Sequence, residues 1–108
     1  MKTYNKLVRD NIPWILNAKG IFCTFDILTP EQYVKYLKAK LVEELEEYSR
    51  AINTDNAIME LVDMTEVISA LLTTYDVSPD AFQRLCLIKR AESGGFYKRV
   101  RLINTEEE

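Results

Sequence analysis

Histidine is absent from the 108-residue chain. With it go Ser-His and Cys-His nucleophile pairs and imidazole metal ligands, which leaves carboxylates as the obvious chemical groups. Cysteine is nearly as scarce: Cys23 and Cys86 stand far apart and in no metal-binding spacing. Both are expected to be ordinary thiols, with neither a disulfide framework nor a zinc site. No apolar run approaches the roughly 20 residues that a membrane-spanning helix needs, so no membrane partner is expected. The basic start, with Lys2, Lys6 and Arg9, has no apolar segment of secretory length behind it, and a cytoplasmic location is expected. Surplus positive charge is missing too. A formal charge of −3 argues against sequence-independent binding to a nucleic-acid polymer.

What is present is the composition of an ordinary globular protein, 47% hydrophobic and 29% charged, at a length that fits one domain over residues 1–108. Pro13 is tolerated only near a helix start and Gly20 suits a helix end, which predicts a short helix over about Asn11 to Lys19. Ile21 to Leu28 reads as an extended connector. Thr29-Pro30-Glu31-Gln32 is a capping box with proline in the first turn and predicts a second helix running to about Ile52. Its Val34, Leu37, Leu41, Leu45, Tyr48 and Ile52 recur at helical spacing and form a core-facing stripe. Asn53-Thr54-Asp55-Asn56 is a short polar turn, so the next helix, Ala57 to Tyr75, is expected to lie antiparallel to the second.

That third helix is apolar around nearly its whole circumference, from Ile58 and Met59 to Leu71 and Leu72, which predicts burial on most sides and a central position. Ser78-Pro79-Asp80 opens a fourth helix that should end before Gly94-Gly95. Phe96 to Ile103 alternates enough to be a short extended strand, and Glu106-Glu107-Glu108 reads as a solvated tail. The expected fold is therefore all-α: an antiparallel bundle of about four helices with a short C-terminal extended segment, completed by oligomerisation.

Chemistry concentrates in two acidic segments, Glu43-Glu44-Leu45-Glu46-Glu47 and Glu60-Leu61-Val62-Asp63. Glu44 with Glu47, and Glu60 with Asp63, stand three residues apart, so each pair shares one side of its helix and the two pairs can face each other. Acidic runs on helices are usually solvated faces, and Glu43 and Glu46 fit that description. Glu44 does not, because it lies one turn from both Leu41 and Tyr48. Glu60 and Asp63 stand on a helix with no basic residue between Ala57 and Tyr75. Lys38, Lys40 or a distant arginine would have to compensate them. Two like charges about 4 Å apart repel by roughly 4 kcal/mol at an effective dielectric near 20, and a divalent cation resolves the conflict. Oxygen ligands suit Mg²⁺ or Mn²⁺, which bridge carboxylates to phosphates; a di-iron bundle would want a Glu-x-x-His motif, and there is no histidine.

These segments resemble the E-E-x-x-E and E-x-x-D signature of the all-α nucleoside triphosphate pyrophosphohydrolases related to MazG, which include phosphoribosyl-ATP pyrophosphohydrolases. Tyr4 to Pro13 and Gly94 to Arg99 are similar to a small-protein branch of that family, so the resemblance spans nearly the whole chain. Asn11 stands where that branch has lysine, and Ser93 where it has a basic residue. The resemblance implies metal binding by Glu44, Glu47, Glu60 and Asp63. It implies catalytic roles for Glu43, Glu44 and Glu47, the first in a supporting or additional position. It also implies a nucleotide substrate, and assembly into dimers or larger oligomers, here a homodimer or homotetramer, with sites near subunit contacts. In such an enzyme Mg²⁺ activates a water that attacks the triphosphate, releasing a monophosphate and pyrophosphate.

Lys6 and Arg9, within the family-like front segment, and Lys40, Lys89 and Lys98 are candidate phosphate contacts, though an ordinary surface role fits the last three equally well. Trp14 and Phe96 could stack on a base, but core packing is the more economical use of each. Removal of a free or noncanonical nucleotide is the expected role, ahead of a phosphoribosyl-ATP reaction. The alternative from another class is a helical binding or oligomerisation module that keeps the scaffold without turnover.

Overall fold

In a computed structural model the chain is described over residues 1–107 and contains four α-helices and no strand among them. Glu108, the last residue of the acidic end, lies outside the described residues. The chain divides into two compact units, Met1–Asp76 and Val77–Glu108.

The first unit begins with irregular chain and a turn in which the Ile12 amide donates to the Arg9 carbonyl at 3.0 Å. Helix α1, Ile12–Ala18, follows with Pro13 in its first turn. It stops where Gly20 takes a left-handed φ of 76°. The Ile21 amide then reaches back to the Leu16 carbonyl and the Gly20 amide to that of Asn17, both at 3.0 Å, closing a Schellman end. Helix α2, Pro30–Ser49, carries the expected capping box: Thr29 accepts from the Gln32 amide while the Gln32 side chain accepts from the Thr29 amide. Helix α3, Thr54–Thr74, is capped by the Asn53 side chain, which accepts from the Asn56 amide at 2.8 Å. It starts three residues before the expected Ala57, because the cap belongs to Asn53 and the polar residues after it complete the first turn.

Within Met1–Asp76, α2 and α3 are the only helices packed against each other. The short connection from Arg50 to Asn53 makes them an antiparallel hairpin. Leu37 and Val67, 2% and 8% exposed, are its only buried apolar side chains. The distal half of the α2 stripe, Leu45, Tyr48 and Ile52, is exposed rather than core-facing. On α3, Ile58, Met59, Leu61 and Val62 are exposed as well, so the helix is not buried on most sides within one chain. A helix has two long faces and a hairpin covers one, which leaves the other apolar face of α3 bare. Trp14, expected in the core, is exposed.

In the second unit Ser78 accepts from the Ala81 amide and starts α4, Pro79–Ser93. Gly94, with a φ of 81°, ends it. A Cβ at Gly95 would lie 2.9 Å from the ring of the exposed Tyr97, which would have to shift to admit it. Phe96–Ile103 was expected to form a strand and does not. A bend and turn at Phe96–Lys98 lead into irregular chain, since an isolated segment has no ladder partner to hold it extended. Phe96, the other expected core aromatic, is exposed.

Candidate metal centre

The carboxylates of Glu44, Glu47 and Glu60 converge between α2 and α3, two to three turns along these helices from the buried Leu37 and Val67. Each offers an oxygen, and these oxygens all lie within 4.8 Å of one another. The helical spacing of Glu44 and Glu47 turns both towards α3, and the antiparallel register of the hairpin sets Glu60 opposite them. Glu44 is only 6% exposed, the one charged residue buried in the described chain. Its Oε2 and the Oε2 of Glu60 are buried without a hydrogen-bond partner. An orphaned buried carboxylate oxygen is costly, and two in one cluster need either a proton or a cation.

The electrostatics agree. Burial pushes the Glu44 carboxyl up to about 7, with the neighbouring Glu60 carboxyl and the charges of Glu47 and Asp63 adding to the shift. Glu47 is raised as well, by burial first and then by the Glu60 charge. Glu43, one residue away, behaves in the opposite way: the Lys6 ammonium bonded to it holds its carboxyl below the usual range. Two classes of carboxylate thus occupy one turn of α2. One is already paired with protein cations, and the other is left short of positive charge.

The paired class is built by three basic residues. Lys6 donates to Glu43 Oε1 at 2.9 Å, and Lys40 lies 3.2 Å from Glu43 Oε2 and 3.8 Å from Glu44 Oε1. Arg9 Nη2 donates to Asp63 Oδ1 at 2.8 Å. Asp63 is therefore engaged by an arginine and stands outside the converging trio, although sequence spacing alone would group it with Glu60. Lys6 and Lys40, with Asn5, Leu7, Tyr36, Ala39, Glu43 and Glu46, also line a shallow groove along α2. Tyr36 was not singled out in the sequence; its position one turn before Lys40 was the available signal. Lys89 and Lys98 belong to the second unit. Lys89 lines a groove there with Phe82, Leu85, Cys86 and Tyr97, and Lys98 is exposed in the turn after Phe96.

No protein-family model, curated protein or solved structure matches the chain. What the site can do is therefore read from its geometry and from the residues that build it.

Proposed function

We propose that this protein is a Mg²⁺-dependent nucleoside triphosphate pyrophosphohydrolase of the MazG-like type, releasing a nucleoside monophosphate and pyrophosphate from free or noncanonical nucleotides. The observation that carries the reading is the pair of orphaned carboxylate oxygens on Glu44 and Glu60. Buried acids without donors fit a hard divalent cation, and Glu44, Glu47 and Glu60 would hold it, with Mn²⁺ able to substitute. Asp63, one turn beyond Glu60, is the fourth candidate ligand. When bound, the ion would neutralise phosphate charge and make a water more acidic.

The chain's own residues supply the rest. Glu47, half-buried and with a raised proton affinity, has one side open to incoming water and is suited to accept its proton. Lys6 and Lys40 flank Glu43 and place positive charge beside the groove, where a triphosphate can be aligned. Arg9 adds a planar fork that matches phosphate oxygens. The exposed apolar rows of α2 and α3 suit a second copy of the chain, as a homodimer or homotetramer. The same rows would also serve an assembly module without catalytic turnover, and the buried carboxylates favour the enzyme.

A pyrophosphate-release screen over ordinary, deoxy and oxidised nucleoside triphosphates tests both readings. Turnover that requires Mg²⁺ and is lost in Glu44→Gln and Asp63→Asn is expected, from a species that sediments as a dimer or tetramer. No turnover across the panel, together with a melting temperature indifferent to Mg²⁺, would replace the enzyme with the assembly module.

A further inference from the structure

The irregular segment before α1 makes two ion pairs with the acidic face, Lys6 to Glu43 and Arg9 to Asp63. The two contacts are not equivalent. Glu43 stands apart from the converging trio and already has a second cation in Lys40. Asp63 faces the trio's side of α3, one turn from Glu60, and Arg9 is its only ion-pair partner among the described residues.

Charge counting sharpens the contrast. With every acid ionised, Glu43, Glu44, Glu47, Glu60 and Asp63 face Lys6, Arg9 and Lys40, an excess of two negative charges. One divalent ion neutralises that excess while Arg9 stays on Asp63. A bound triphosphate adds several negative charges and competes with Asp63 for the guanidinium.

We propose that Arg9 is an exchangeable counter-ion of Asp63: it keeps Asp63 out of the ligand set in the free protein and transfers to phosphate when a polyphosphate arrives, releasing Asp63 to the metal. This rests on the metal reading above. The geometry suits such an exchange. Arg9 and Asp63 side chains are 53% and 37% exposed, so a phosphate can reach the guanidinium while it is still paired. The Arg9 backbone is held by the Ile12 amide, so the exchange needs only side-chain rotation. A half-exposed ion pair is weakly held, and the guanidinium fork suits phosphate as well as carboxylate, so a polyphosphate with several charged oxygens can compete with Asp63 for Arg9.

The signature is a pair of opposite effects from one substitution. Arg9→Gln is expected to bind free Mn²⁺ about two- to fivefold more tightly than the wild type, the strength of the pair it removes. It should bind the Mn²⁺ complex of a non-hydrolysable methylene-bridged triphosphate at least about tenfold more weakly, having lost a charged hydrogen-bond donor. Both are read by titration calorimetry, with helicity by circular dichroism as the control for folding. In the Asp63→Asn background the gain in free-ion affinity should vanish. Arg9→Lys, which keeps the charge without the fork, should leave free-ion affinity near the wild type and weaken the complex less than Arg9→Gln does. Equal or same-direction changes for the ion and the complex overturn the exchange while leaving the metal site standing. A wild-type chain that binds no Mn²⁺ at all overturns the metal reading and the exchange with it.

Discussion

Two layers of the same helical hairpin contain buried side chains for opposite reasons. Leu37 on α2 and Val67 on α3 are 2% and 8% exposed, the only buried apolar side chains among the described residues. Glu44, at 6%, lies two turns along α2 from Leu37 and meets other carboxylates, leaving oxygens on Glu44 and Glu60 without donors. The first layer holds the hairpin together by removing apolar area from water. The second works against it, because desolvating acids beside other acids raises the free energy of the folded chain unless a proton or cation is taken up. On the function proposed above, the second layer serves a bound cation and not the stability of the fold.

The largest way to break this comparison is in the apolar layer. Leu37→Ala should lower the unfolding free energy by about 2–5 kcal/mol, measured by chemical denaturation at constant protein concentration. A loss under about 1 kcal/mol would mean that the layer is already loose, and the contrast would fail.

Next in size is the effect of pH on the acidic layer. Glu44 binds its proton up to about pH 7 in the folded chain, above its ordinary 4.5. Between those values the folded state holds more protons than the unfolded state, so stability is fully present below about 4.5 and is lost as pH rises through 7. The loss is roughly 3 kcal/mol in the absence of divalent ions. Denaturant midpoints that rise with pH over this window would refute the burial argument. The sharpest and smallest test uses one atom: Glu44→Gln removes the charge and can donate to the orphaned Glu60 oxygen. It should flatten the pH profile and raise metal-free stability at pH 8 by about 1–3 kcal/mol. Gaining stability while losing the Mg²⁺ response would mark Glu44 as a residue kept at the expense of the fold.

Local rules were enough for the helices. Thr29 and Ser78 cap as their side chains and following residues predict, Asn53 caps three residues ahead of the expected helix start, and Gly20 and Gly94 end helices in left-handed conformations. Such signals act over three or four residues and need no tertiary partner. The acidic pairs were legible for the same reason, since a three-residue spacing fixes a common side of a helix. Apolar periodicity was less informative. It marks which faces avoid water but not what covers them, so Leu45, Tyr48, Ile58 and Met59 read as core and are exposed within one chain. An alternating pattern at Phe96–Ile103 likewise could not supply the neighbour that a strand requires.

The linear order of residues was thus sufficient for the four helices and the sides on which the acids stand, though α2 stops at Ser49 short of the expected Ile52 and α3 starts at Thr54 ahead of Ala57. Which acid meets which cation was decided only in three dimensions. Lys6 and Glu43 are 37 residues apart and Arg9 and Asp63 are 54 apart. No periodicity links positions so distant, and only the packing of α2 on α3, with the front segment laid against them, divides five similar carboxylates into those already paired and those still short of positive charge.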